Sequence, residues 1–269
     1  MKKILLTTDF SDNARNAIHY ALSLFEKEAS TFYILHAYQM GPSGVGSRAD
    51  SEQKLEMLMA QLEAIKKNPE HTFETTFIMD GLLSAVGRTI IDKDIDYVFM
   101  GTKGSSQIKE IFMGSSTVSI IKNVNSCPII AVPMTYKIRP LKEIVLVTDF
   151  KHFYEKAELM PLLEIVKLSK SMLLVAHINE ENELTANQKN GRKLLKNKLE
   201  GISHWFHDVE MFSSVSYVAY TLVKENTNIG MIAMLKRRHG FFAKLVREPV
   251  IKKIAFKTEV PFLVLPELE

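Results

Sequence analysis

A single cysteine, Cys127, among 269 residues leaves no partner for an internal disulfide. It sits in an apolar run beside Pro128, where a small buried hydrophobe is expected rather than a nucleophile. No apolar run approaches the ~18 residues that a membrane-spanning helix needs. The opening Met1-Lys2-Lys3-Ile4-Leu5-Leu6 stops being apolar at Thr7, and Asp9 follows, so a strand is expected there rather than a leader. An excess of charge of one sign is also missing. The formal net charge is +3, with 15 Lys+Arg against 15 Asp+Glu up to residue 140 and 19 against 16 after it. So small a surplus does not argue for nucleic acid, and no interleaving of aromatic and basic residues adds to it. No Ser-His-Asp signature or nucleophile elbow occurs. His204 and His207 lie three apart without a third ligand nearby, so a zinc centre is not expected. These absences make a cytoplasmic protein without a membrane anchor the expectation. What is present is 46% hydrophobic and 24% charged residues, ample for a globular core. The length suits one large or two ordinary domains.

Apolar runs alternate with amphipathic stretches from the start. Residues 3–8 read as a strand ending at Asp9, and Ser11 caps a helix whose apolar stripe is Ala14, Ala17, Ile18, Ala21, Leu22 and Phe25. Thr31 to Tyr38 reads as a second strand, followed by a connection at Gly41 to Ser47. A helix around Leu55, Leu58, Met59, Leu62 and Ile65 comes next, then a strand from His71 to Met79. Leu82 to Ile91 reads as a helix and Tyr97 to Met100 as a strand. The series closes with a helix at Val118 and a strand at Pro128–Val132. Strands and helices in this order imply right-handed βαβ crossovers and a mainly parallel sheet with helices on both faces. In such sheets ligands sit at the C-terminal ends of the strands.

The second half repeats the first. Lys142 to Phe150 echoes Lys2 to Phe10, Met172 to His177 echoes Phe32 to His36, and Val260 to Pro266 matches Cys127 to Pro133. Two tandem copies of one five-stranded α/β fold are therefore expected, over residues 1–136 and 141–269, with a linker from Met134 to Pro140. The copies diverge at their glycines. Lys236-Arg237-Arg238-His239 stands opposite the turn at Gly101, and Arg247-Glu248-Pro249 opposite Gly114-Ser115-Ser116.

The stretch at that turn organises the first copy. Met100-Gly101-Thr102-Lys103-Gly104 follows a strand-like run, and Gly114-Ser115-Ser116-Thr117 leads into a helix. Glycines allow positive φ and let backbone N–H groups approach an anion, while a helix start favours a phosphate. The spacing Gly-x2-Gly-x9-Gly-Ser, together with Ile4 to Ser11 and Cys127 to Pro133 in that order, resembles the universal stress protein family over residues 1–135. Gly41 to Gly46 also has the glycine spacing of a P-loop. There, however, Ser47-Arg48 stands where Lys-Ser/Thr is required, and the loop does not open directly into the first helix.

The resemblance implies a Rossmann-like fold of the universal stress protein type and a nucleotide site in the first copy. Asp9 would accept a hydrogen bond in the adenine–ribose region, with Thr7 and Thr8 lining the base pocket. An Asp at a strand end also bonds its own turn, and Asp149 persists in the second copy without the glycines. Met100, Gly101 and Gly104 would wall the ribose and α-phosphate side. Gly114, Ser115, Ser116 and Thr117 would hold the outer phosphates, and Lys103 would reach a phosphate or stay solvated. Leu35 or His36 would touch the base, although His177 repeats His36 and points to a packing or turn role. The expected ligand is ATP with Mg²⁺, held for regulation in a stress response. The second copy would be degenerate, structural or partner-binding. Its basic run Lys236 to Arg247 reads as a solvated face, or as a site for an anion or an acidic partner. The family also implies that the closing strands Pro128–Val132 and Pro261–Leu265 pair across a two-fold axis, giving an intrachain pseudo-dimer and leaving a homodimer open.

Two other readings stay open. A slow ATP-hydrolysing or nucleotide-transferring enzyme of the same fold group is one. The related pyrophosphatases carry a Ser-Gly-Gly-x-Asp-Ser type of loop where this chain has Thr7-Thr8-Asp9-Phe10-Ser11-Asp12, so their glycines are missing. A scaffold that binds no nucleotide is the other.

Overall fold

The computed structural model describes residues 1–38, 48–102, 114–179, 183–210, 221–237 and 259–268. The chain divides into two compact units, the first closing at Met134 and the second opening at Thr135. Gly41 to Ser47, Lys103, Gly104, Arg238, His239 and Arg247 to Pro249 lie outside the described residues.

The first unit runs β1 (Lys2–Thr7), α1 (Asp12–Leu24), β2 (Ser30–Ala37), α2 (Arg48–Ile65), β3 (His71–Ile78), α3 (Leu82–Lys93), β4 (Tyr97–Gly101), α4 (Ser115–Asn123) and β5 (Ile129–Val132). Its strands pair in the order β3-β2-β1-β4-β5, and every ladder is parallel. Successive residues of a strand point to opposite faces, and Ile4, Leu5 and Leu6 are all sealed from solvent, as are Tyr97, Val98 and Phe99. Both faces of the sheet are therefore covered. The third strand lies at the edge of this unit's sheet, pairing with β2, and its burial is correspondingly patchy.

Local chemistry sets the helix ends. Ser11 caps α1, its Oγ accepting from the Ala14 N–H at 3.2 Å, and Asp12 adds an acid to the first turn. Ala14, Ala17, Ile18, Ala21 and Phe25 face inward as the stripe requires. The helix α2 opens at Arg48, earlier than its apolar stripe suggests, because its first turn is polar and held by Arg48–Glu52 and Lys54–Asp50 pairs. Leu55, Leu58 and Leu62 are buried, but Ile65 is exposed because it is the last residue of the helix. Asp94 ends α3 in the left-handed conformation at φ 54°.

The second unit runs β6 (Glu143–Thr148), α5 (Lys156–Ser169), β7 (Met172–Asn179), α6 (Ala186–Lys198), β8 (His204–Glu210), β9 (Ile229–Lys236) and β10 (Phe262–Pro266), with further helix at residues 221–225. Its strand order, β8-β7-β6-β9-β10, repeats that of the first unit with parallel ladders throughout. A capping box starts α6, where the Thr185 Oγ1 accepts from the Gln188 N–H and the Gln188 side chain accepts from the Thr185 N–H.

Candidate functional site

The strand order places a topological switch between β1 and β4. The chain leaves β1 toward β2 on one side and returns through β4 on the other, which opens a crevice at their C-terminal ends. Thr7, Thr8 and Asp9 stand at the end of β1, and Met100, Gly101 and Thr102 at the end of β4. The two stretches singled out from the sequence thus emerge side by side.

The β1–α1 turn is built from its own side chains. The Phe10 N–H donates to Thr8 Oγ1 at 2.9 Å, and the Ser11 N–H donates to Asp9 Oδ1 at 3.0 Å. Phe10 adopts φ 63°, a conformation costly for a bulky residue. Its ring lies 4.5 Å from the His36 ring, which packs it in place. The second unit makes the same turn. There the Phe150 N–H donates to Thr148 Oγ1 at 3.1 Å, the Lys151 N–H donates to Asp149 Oδ1 at 2.9 Å, and Phe150 has φ 54°. Because the turn recurs without the glycines, its Thr and Asp serve the fold first. Asp9 is nonetheless exposed at the mouth of the crevice.

Thr8 has its N–H on the Leu35 carbonyl at 2.9 Å and its carbonyl on His36 Nδ1 at 2.8 Å. With the Thr8 carbonyl as acceptor, the His36 proton sits on Nδ1. His36 also lies 6.0 Å from Phe77, so it is a turn and packing residue, as its repetition suggests. The Leu35 side chain is fully buried and offers a ligand no side-chain surface. His177, the counterpart of His36, bonds Asp208 Oδ1 through Nδ1 at 3.1 Å and stacks on Phe150. Its Nε2 is buried with no hydrogen-bond partner among the described residues. Burial pushes its pKa below the usual value, opposed by the Asp208 charge.

On the other side of the crevice, Gly101 is required by packing. A Cβ there would lie 2.5 Å from Asn13 Nδ2 and 3.0 Å from the Asn13 carbonyl oxygen. The strand register puts Leu235 at this position in the second unit. That exchange is accommodated because α1 opens four residues after Thr8, whereas α5 opens eight after Thr148. Met100 is buried. The Thr102 N–H donates to the Val132 carbonyl at 3.0 Å, and the Gly114 N–H donates to the Thr102 carbonyl. Thr102 and Gly114 are thereby joined directly.

Gly114 is the N-cap of α4, with no side-chain cap and no acid in the first turn. Gly114 therefore offers no side-chain partner to the first backbone N–H groups of α4, and none is supplied among the described residues. Ser115 and Ser116 are exposed there. The Thr117 hydroxyl instead turns inward, donating to the Gly101 carbonyl at 2.9 Å, and so ties α4 to β4. Of the residues expected to hold phosphates, Ser115 and Ser116 present hydroxyls outward, while Thr117 presents only its backbone.

Residues 1–133 match the model of the universal stress protein family. That segment, just under half of the chain, is a universal stress protein domain. A universal stress protein of Thermus aquaticus is 25% identical over 138 residues, which is 49% of this chain and 98% of that relative. Another, from Methanocaldococcus jannaschii, is 28% identical over 140 residues, or 49% of this chain and 81% of that relative. The crystal structure of a universal stress protein from Archaeoglobus fulgidus has a TM-score of 0.67 at 17% identity, covering 98% of this chain and 96% of its own. That last likeness is one of fold, and it spans both units.

The second unit fills its crevice differently. The Gln188 side chain donates to the Asp149 carbonyl at 3.1 Å, and α6 approaches so closely that a Cβ at Gly191 would meet the Phe150 carbonyl. Tyr154 is buried with its hydroxyl on Thr148, and burial holds its pKa well above the usual value. Glu158, also buried, accepts from His152 Nε2 at 2.8 Å and from the Glu155 N–H at 2.7 Å. Arg237 pairs with Glu267 at 3.2 Å rather than standing free, and burial lowers the Lys236 pKa to about 8.

Cys127, His204 and His207 are each fixed by their surroundings. Cys127 is buried, with its Sγ on the Ile95 carbonyl at 3.4 Å, and burial raises its pKa far above the usual thiol range. His204 and His207 lie on β8 three residues apart, hence on opposite faces. No cluster of three metal-ligating side chains occurs among the described residues. No helix among them is long and apolar enough to cross a membrane.

Proposed function

We propose that the first unit binds an adenine nucleotide, ATP carried with Mg²⁺, in the crevice between the ends of β1 and β4, as a regulatory ligand of a cytoplasmic stress-response protein. The observation that carries this reading is the convergence of the Asp9 turn with Gly101, Thr102 and Gly114 on one switch point, with the start of α4 beside them. Ser115 and Ser116, with the first N–H groups of α4, would hold the phosphates. Asp9 would serve the ribose side. No cluster of carboxylates stands ready for a cation among the described residues, so Mg²⁺ would arrive on the triphosphate.

The second unit is then a degenerate copy with a structural or partner-binding role. Gln188 engages the Asp149 carbonyl and Leu235 replaces Gly101, so the groups that open the first crevice are engaged or altered in the second. The pairing of the two closing strands remains part of this proposal on the sequence argument alone.

Mass spectrometry of the small molecules released on denaturing the purified protein tests the reading. Bound ATP is the expected result. Bound hydrolysis product, with turnover on the order of 1–10³ per second, would favour an enzyme instead. Absence of any nucleotide, both as purified and after incubation with ATP, would favour a scaffold.

A further inference from the structure

The helix after the second strand differs sharply between the two units. In the first unit α2 carries Arg48 and Lys54 against Asp50, Glu52, Glu56 and Glu63, and both cations are paired along the helix at 2.7 Å. In the second unit α6 carries Lys189, Arg192, Lys193, Lys196 and Lys198 and no acid. Arg192 pairs with Asp208 at 3.4 Å and lies over the rings of Phe150 and Phe206, and Lys198 reaches Glu155 at 3.8 Å. The side chains of Lys189, Lys193 and Lys196 are exposed and make no ion pair or hydrogen bond among the described residues. They recur at i, i+4 and i+7, so they form one stripe along the outer face, with Asn190 and Asn197 exposed beside them.

This arrangement works against the helix. Like charges four apart on a helix repel, and Lys189–Lys193 and Arg192–Lys196 are two such pairs. Lys189 also lies in the fourth helical position, near the end where the helix dipole disfavours a cation. Neighbouring acids could have offset these costs, as they do on α2.

We propose that the outer face of α6 is a docking surface for an acidic segment of a partner protein, with Lys189, Lys193 and Lys196 meeting carboxylates at helical spacing. Such a partner supplies the neutralising charge that the helix lacks. A membrane fits less well, because the exposed face holds lysine and asparagine but no apolar side chain to insert. Nucleic acid fits less well too. Three phosphate contacts give weak attachment at physiological salt, and no exposed aromatic side chain lies on this face to stack a base. The surface gives the partner-binding role of the second unit a location, and it does not depend on the nucleotide site.

The test uses the full chain and a fluorescein-labelled helical peptide of alternating Glu and Ala turns, followed by anisotropy at low and high salt. The wild type is expected to bind at low salt and to lose at least tenfold in affinity at 0.3 M salt. The triple variant Lys189→Gln, Lys193→Gln, Lys196→Gln is expected to lose binding, yet to melt at an equal or higher temperature because the repulsion is gone. A single-stranded oligonucleotide and anionic vesicles serve as competitors. Equal peptide binding by wild type and variant, no binding by the wild type, or tighter binding of either competitor would each overturn the proposal. Retained ATP binding by the triple variant would show that the two surfaces are separate.

Discussion

Several side chains that look like ligand contacts are first of all structural. Thr8, Asp9 and Phe10 build a turn that the second unit repeats with Thr148, Asp149 and Phe150, down to the positive φ of the phenylalanine. Gly101 is glycine because Asn13 presses on it. Gly101→Ala should therefore destabilise the first unit by about 1–3 kcal/mol, the usual cost of overpacking, as read from urea unfolding. An unchanged midpoint would mean that Asn13 yields freely. A second residue-scale effect follows from His177. Burial keeps its imidazole neutral, so its folded pKa lies below the ordinary value of about 6.5. The unfolded chain then binds the proton more readily. Stability is complete above the ordinary value and is lost as pH falls through it toward the lowered folded value. His177→Gln should flatten that part of the pH profile of chemical unfolding between pH 7.5 and 5, and an unaltered profile would show that another group is responsible.

At the scale of elements, α4 links the fold to the site. The buried Thr117 hydroxyl bonds the Gly101 carbonyl, so Thr117→Val should cost about 1–3 kcal/mol by leaving that carbonyl unsatisfied, while the chain stays folded. If the substitution is neutral in thermal and urea unfolding, the bond is not holding α4 on β4. The start of this helix was legible in the sequence, because glycine followed by two serines marks a helix cap. The β1–α1 unit was legible as well, since Ser11 and the stripe from Ala14 to Phe25 have only one helical reading. What the sequence hid is direction. Nothing in Gly114-Ser115-Ser116-Thr117 tells that the serines face solvent and the threonine turns inward, because that depends on the strand beneath. Leu35 likewise looked able to touch a base until the covered sheet showed it sealed. Ile65 continued an apolar stripe but fell on the last turn, where no core remained to cover it. The role of Gly101 needed the position of α1, a contact across 88 residues of sequence.

For the whole molecule, the strand order of the first unit recurs in the second, yet the sequence keeps the glycines at the switch point only in the first. One architecture therefore carries two different crevices. The second is engaged by its own Gln188, Tyr154 and Glu158. A single nucleotide site per chain is expected, and calorimetric titration of ATP with Mg²⁺ into the full chain tests this most directly. The wild type should bind one equivalent. Gly114→Arg should bind none while keeping its circular dichroism and melting temperature, because the arginine enters the space at the start of α4. Two equivalent sites per chain, or wild-type affinity in Gly114→Arg, would contradict the account.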